Sequence, residues 1–263
     1  MPVGKSLPTK LRRMDDAGLR QMAYESLYPF YEMIAGGSAT SRVERLDGVL
    51  ACVVPAVPER SFMNAVIYDD GAALDAALPE LSSLYDDAGV RAWTVWVRAG
   101  DRTVADALGR AGNALDASPA AMAMPLSEWE PAGGGDGADI GEIDVAGLTR
   151  INDAAYGWDG EFTKGFSEAP EELRRYGARL GGEDVACAAW LRTGDDCAVY
   201  MVACLPRAQG QGLATALMRR MLTDAKGEGC TTTTLQASKP GYPIYRRLGY
   251  RDLGALEMWE RRR

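Results

Sequence analysis

The stretch Val199-Tyr-Met-Val-Ala-Cys-Leu-Pro-Arg-Ala-Gln-Gly-Gln-Gly-Leu-Ala-Thr-Ala-Leu-Met-Arg-Arg220 runs an apolar segment into a glycine turn and then into a helical segment. Gly210 and Gly212 allow a backbone to approach a ligand closely and to adopt turns closed to other residues. The helix that follows offers unpaired N–H groups and the positive end of a dipole, which together attract phosphate oxygens. Downstream, Tyr245 sits on a short apolar-periodic segment with a phenol that can give up a proton. The turn and the helix start suit the binding of a phosphate-bearing ligand.

Other phosphate-binding readings of the turn fail on spacing. A Walker A loop needs a Gly-Lys-Ser/Thr that does not follow the first glycine. A dinucleotide fingerprint would read Gly210-Gln-Gly-Leu-Ala-Thr215, with Thr at a Gly or Ala position. The next strand also ends Leu235-Gln-Ala-Ser238, without the acidic residue that binds a ribose. A purely structural glycine turn is the remaining competitor.

Composition removes whole classes of chemistry. The chain has no histidine, so imidazole acid–base catalysis, Ser-His and Cys-His nucleophiles and the usual zinc sites are excluded. Five cysteines are scattered without a C-x-x-C pair, which fits a reduced compartment and no metal site. Lys plus Arg total 29 against 37 Asp plus Glu, a net charge of −8. That sign opposes nucleic-acid binding, and it is compatible with a cationic substrate such as an amine. No apolar run is long enough for a bilayer and no charged-then-apolar leader opens the chain, so the expected location is cytoplasmic, away from membranes.

The elements that must position this chemistry alternate between strand and helix, the pattern of α/β layering. In the first half the spacing predicts a helix over 19–34, strands at 48–54 and 62–68, a helix over 72–88, and a strand at 92–97. A short helix at 103–111 and a strand at 120–126 follow. In the second half it predicts a helix over 143–156, a loop and helix across 157–180, and strands at 185–192 and 198–204. A helix at 211–226, a strand at 231–237, a helix at 242–248 and a strand near 256–259 complete the chain. A Gly- and Pro-rich segment, Glu130-Pro-Ala-Gly-Gly-Gly-Asp-Gly-Ala-Asp139, separates the halves. Leu108-Gly-Arg-Ala-Gly112 echoes Tyr245-Arg-Arg-Leu-Gly249, and the shared element order points to an internal duplication.

Gln209-x-x-Gly212-x-Ala214 resembles the pyrophosphate signature Gln/Arg-x-x-Gly-x-Gly/Ala of the GCN5-related N-acetyltransferase (GNAT) superfamily. Tyr245-Arg-Arg-Leu-Gly-Tyr250 resembles its closing motif. The resemblance covers roughly residues 143–259. It implies an α/β fold of two tandem GNAT-like domains, each a mixed central β-sheet flanked by helices. The expected division is residues 1–130, a linker at 131–139, and a catalytic domain at 140–263.

The resemblance further implies acetyl-CoA as acyl donor, no metal, and direct transfer to the primary amine of a small molecule. A protein N-acetyltransferase and a non-catalytic acyl-CoA sensor are the alternatives. Val202, Ala203 and Cys204 would meet the pantetheine arm, and Gln209, Gly210, Gln211, Gly212, Leu213, Ala214 and Thr215 would cradle the pyrophosphate. Tyr245 would protonate the departing thiolate. Ser238 replaces the family's cofactor-contacting Asn. Glu161, Glu168 and Asp196 are the carboxylates available as a base, with a water chain as substitute. Cys204 reads as a small apolar strand residue rather than a nucleophile.

In the first half, Tyr68-Asp-Asp-Gly71 replaces the glycine turn and Leu108 replaces Tyr245. A degenerate domain that no longer binds CoA, and that walls the acceptor site, is expected. Trp93, Trp96 and Trp158 are candidate wall residues.

Overall fold

The computed structural model describes residues 15–131 and 138–263. The first half runs α1 (Asp16–Glu25), α2 (Leu27–Gly36), β1 (Arg42–Leu46), β2 (Val49–Val53), β3 (Ala65–Tyr68), α3 (Gly71–Asp87), β4 (Ala92–Val97), α4 (Arg102–Arg110), β5 (Ala114–Ala117) and β6 (Ala120–Pro125). The second runs β7 (Asp139–Glu142), α5 (Val145–Tyr156), α6 (Glu161–Gly165), β8 (Arg174–Leu180), β9 (Glu183–Thr193) and β10 (Asp196–Cys204). After a 3-10 turn (Pro206–Ala208) come α7 (Leu213–Gly227), β11 (Thr232–Ala237), α8 (Tyr242–Arg247), β12 (Arg251–Ala255) and β13 (Glu257–Arg262).

Two mixed sheets result, with orders β1-β2-β3-β4-β13-β5 and β12-β6-β11-β10-β9-β8-β7. Each contains one parallel pair, β3–β4 and β10–β11, among antiparallel neighbours. The sheets exchange strands. The last strand of the first half, β6, lies between β11 and β12, and the last strand of the chain, β13, lies between β4 and β5. Six residues of β6 pair with β11, and six of β13 pair with β4. One apolar core therefore runs through both halves, while a second lies between the first sheet and helices α3 and α4. Helix α1 packs on β6, β11 and β12, which carries the N-terminal segment onto the second sheet.

The unit β3-α3-β4-α4-β5 matches β10-α7-β11-α8-β12 in element order. The expected helix over 19–34 is two helices broken at Ser26. Pro29 has no N–H for the Glu25 carbonyl, and the Ser26 hydroxyl donates to Ala23 O at 3.0 Å, which together favour a break there. Residues 157–180, expected as loop and helix, contain only the short α6 and then β8, which pairs with β9 along its length. The charges of Arg174, Arg175 and Arg179 hide its alternation. Of the Gly-rich linker, residues 132–137 lie outside the described residues.

Candidate active-site cleft

Strands β10 and β11 pair only from Asp196↔Thr232 to Ala198↔Thr234. Beyond that point the register of β10 on β9 shifts between Tyr200 and Ala203, the mark of a β-bulge. Met201 lies there at φ 55°, the one non-glycine with positive φ among the described residues. The strands part, and residues 199–204 face Leu235, Gln236 and Ser238 across a cleft of about 960 Å³.

The glycine turn closes one end. Gly210 and Gly212 adopt φ 77° and 79°, which favour glycine, and a Cβ at either would meet nothing within 4 Å. Gly212 is the N-cap of α7 and has no side chain to cap the first-turn N–H groups, of which Ala214 N–H meets the Cys204 thiol. The turn is braced from outside its mouth: Gln209 Nε2 donates to Cys204 O at 3.4 Å and Gln211 Nε2 to Arg207 O at 3.3 Å. Open space above an uncapped fifteen-residue helix fits an anionic group such as a pyrophosphate.

Val202, Ala203 and Cys204 form one wall, and Gln209, Gly210 and Gly212 the turn. Leu213, Ala214 and Thr215 supply the helix start, and Ser238 and Tyr245 the facing side. Gln211 stands outside the cleft lining. Burial pushes the Cys204 thiol up, while the Ala214 N–H hydrogen bond to it acts the other way. A protonated thiol is a poor nucleophile.

Tyr245 is 7% exposed and packs edge-on against Tyr250, with ring centroids 5.8 Å apart. Burial raises its pKa well above the ordinary phenol value, and Tyr156 and Cys204 add to the effect. It holds its proton throughout the physiological range and so keeps an O–H that can donate a hydrogen bond.

The three candidate base carboxylates lie elsewhere. Asp196 sits at the paired end of β10, where it accepts from Thr232 Oγ1 at 2.8 Å and Thr234 Oγ1 at 2.5 Å; burial pushes its pKa up to about 6. Glu161 is paired with Arg60, and Glu168 is exposed on a loop. None of them lines the cleft. Trp93 stacks on Tyr85 at 4.9 Å in the core of the first half, whereas Trp96 and Trp158 do line the cleft.

Several contributors carried no sequence signal. Phe30, Phe62 and Met258 reach the cleft from three separate segments, and only the strand exchange and the helix packing bring them there. Tyr156 closes α5 and its hydroxyl hydrogen-bonds with Ser238. The aromatic pair Tyr156-Gly-Trp158 at a helix end was a usable signal for a cleft wall.

Residues 172–252 match the acetyltransferase (GNAT) domain family. The matched segment lies within the C-terminal half. The match spans β8 to β12 and so includes the parted strands, the glycine turn and Tyr245. Solved structures similar to the chain include a GCN5-related N-acetyltransferase from Kribbella flavida, at 17% identity and a TM-score of 0.67, covering 91% of this chain and 95% of that one. A putative GNAT-family acetyltransferase from Novosphingobium aromaticivorans shares 19% identity at a TM-score of 0.57, covering 92% and 96%. A tandem GNAT protein from the clavulanic acid biosynthesis pathway shares 10% identity at a TM-score of 0.57, covering 92% and 95%. At these identities the likeness is one of fold, and it extends over both halves: two GNAT-like α/β layers in tandem. No curated protein matches the sequence. GNAT proteins generally use acetyl-CoA and act on amine acceptors. No described helix is long and apolar enough to cross a membrane.

Proposed function

We propose that the protein transfers an acetyl group from acetyl-CoA directly to the primary amine of a small-molecule acceptor. The observation that carries this reading is the convergence, on one cleft, of the parted β10–β11 edges, the uncapped start of α7 and the buried, protonated Tyr245. Amides from Gly210 to Thr215 would hold the pyrophosphate, and the free edge at Val202–Cys204 would pair with the peptide-like pantetheine arm. Holding donor and acceptor in register supplies most of the acceleration. The amine nitrogen attacks the thioester carbon, the C–S bond breaks, and Tyr245 gives its proton to the sulfur. The proton shed by the acylated nitrogen returns to the Tyr245 oxygen through water. A sensor would have no use for such an acid.

The walls contributed by Phe30, Phe62 and Trp96 support a small acceptor over a protein substrate, because they close the far side of the cleft. The test is calorimetric titration with acetyl-CoA, with NADH as control. Binding at one site per chain is expected; absence of binding would reduce the glycine turn to a structural feature and end the acyltransferase reading.

A further inference from the structure

We propose that the acceptor is an aromatic amine that is uncharged at neutral pH, an arylamine, taken into the aromatic chamber of the cleft. The proposal rests on the acyl-transfer reading above and concerns what that reaction acts on.

The chamber is walled by Phe30 from α2, Phe62 from the loop before β3, Trp96 from β4, Trp158 and Phe162 from the α5–α6 segment, and Tyr200 from the bulged strand. Phe30 lies 4.8 Å from Tyr200, and Phe62 and Phe162 each lie 5.7 Å from Trp158, centroid to centroid. Rings at such spacings favour a flat apolar guest that adds one more aromatic contact. The polar ends of Tyr200 and Trp96 are spent on the protein. Tyr200 donates to Ser26 O at 2.6 Å and Trp96 Nε1 to the Tyr31 hydroxyl at 2.7 Å. Asn152 donates to Leu148 O at 2.9 Å and to Cys187 Sγ at 3.3 Å. Little is left over to recognise a polar acceptor.

Charge decides the class of amine. Among the described residues, the charged side chains on the cleft are Lys239 and Arg247, both cationic. The Arg60 guanidinium, 4.7 Å from the Trp158 ring centroid, is already paired with Glu161, so that carboxylate is not free for an ammonium. An aliphatic ammonium would have to shed its hydration here with no carboxylate to pair with, and then lose a proton to a base that the cleft does not provide. An arylamine avoids both penalties, since its lone pair is free at neutral pH. Its nitrogen attacks the thioester carbon, the C–N bond forms, and the C–S bond breaks with its electrons on sulfur. Tyr245 protonates the sulfur, and cleft water returns to Tyr245 the proton shed by the acylated nitrogen. The net chemistry needs no other reactant.

The test is acetyl transfer from acetyl-CoA, read as thiol release, to 4-ethylaniline, 2-phenylethylamine and spermidine from pH 6 to 9. Acetyl-CoA calorimetry and quenching of tryptophan fluorescence by 4-ethylaniline accompany it. At pH 7, kcat/KM for 4-ethylaniline should exceed the other two by at least about tenfold and stay flat with pH, because no amine proton has to be lost first. Phe62→Glu, at a half-buried position, should weaken 4-ethylaniline quenching by about tenfold or more and leave acetyl-CoA binding unchanged; Phe62→Ala gives a milder loss if the charge disturbs folding. Preference for spermidine or 2-phenylethylamine, or a rate rising about tenfold per pH unit, overturns the proposal. So does a Phe62→Glu effect on octanoyl-CoA affinity with none on 4-ethylaniline, which would give the chamber to the acyl chain. Quenching by 4-ethylaniline without acetyl-CoA binding would instead strike the acyl-transfer reading itself.

Discussion

The two strand-turn-helix units differ at the points where a ligand would touch them. In the second half, β10 and β11 part around open space and α7 begins with uncapped N–H groups above Gly210 and Gly212. In the first half the same places are filled by the protein. Asp70 caps α3, accepting from Ala72 and Ala73 N–H at 2.9 Å, so a carboxylate already occupies the helix start. Between β3 and β4 the Tyr24 hydroxyl lies 3.2 Å from Tyr68 O and 3.1 Å from Trp96 O, and accepts from Tyr68 N–H at 3.2 Å. Arg98 stacks on the Tyr24 and Tyr68 rings at 4.1 and 4.8 Å. Leu108, buried on α4, stands where α8 carries Tyr245. The comparison teaches that one fold can fill its strand gap with its own side chains in one half and leave the same gap open in the other.

The comparison treats the halves as separable, and the strand exchange shows how far that holds. Residues 138–263 alone lack β6, which leaves six residues of β11 without a neighbour on one side. That fragment should lose its cooperative fold, read as the absence of a sharp thermal transition by circular dichroism. Co-expression with residues 1–131 should restore it. A stable, monomeric fragment would mean that the exchanged strands are dispensable.

Within the intact chain, Gly212→Glu tests the open site. A side chain there needs an unfavourable φ and places an anion where the phosphates would lie, so acetyl-CoA affinity should fall by about a hundredfold or more. Normal affinity by calorimetry would remove the turn from the site. Tyr245→Phe should lower kcat by about ten- to a hundredfold, with acetyl-CoA affinity nearly unchanged. A kcat equal to wild type would move the acid elsewhere. Because burial raises the pKa of Tyr245, its ionisation should impose no alkaline fall in rate below pH 10.

Much of this contrast was legible in the sequence. The glycine turn, the closing Tyr245, the acidic Tyr68-Asp-Asp-Gly71 and Leu108 differ in residue type at matching points of a repeated pattern. The strand exchange was not legible, because β6 and β13 read as ordinary closing strands and nothing local says which sheet receives them. The edge strands β1 and β7, and β8 beside β7, were missed because charged residues on their exposed faces mask the period-2 pattern. The chamber was legible only in part. Trp96 and Trp158 were candidate wall residues, whereas Phe30 and Phe62 are ordinary apolar residues until the fold brings them to the same cleft.

Tyr24→Phe tests the filled gap. It keeps the ring but strips the hydroxyl from Tyr68 N–H and from two carbonyls, and should cost up to about 3 kcal/mol in urea unfolding. Acetyl-CoA binding in the second half should be unaffected. A cost near zero would mean that those backbone groups are satisfied without Tyr24.

The smallest expected effect lies at the paired ends of the two strand gaps. In the first half Ala65 faces Thr94, whose buried hydroxyl has no partner; in the second, Asp196 faces Thr232 and binds two threonine hydroxyls. Burial raises the Asp196 pKa from 3.8 to about 6, so its ionised form costs stability. That stability is fully present below the unfolded pKa and is lost as pH rises through about 6. The ceiling on the loss is about 3 kcal/mol at 1.36 kcal/mol per unit. Asp196→Asn removes the charge, but its Nδ2–H groups then need acceptors and give part of the gain back. A net stabilisation of about 1 kcal/mol is therefore expected at pH 8, shrinking to nothing near pH 4, in paired urea titrations. Equal effects at both pH values would show that the threonine hydroxyls hold the ionised carboxylate at no cost, and that the charge belongs to the strand junction as much as Ala65 does to its counterpart.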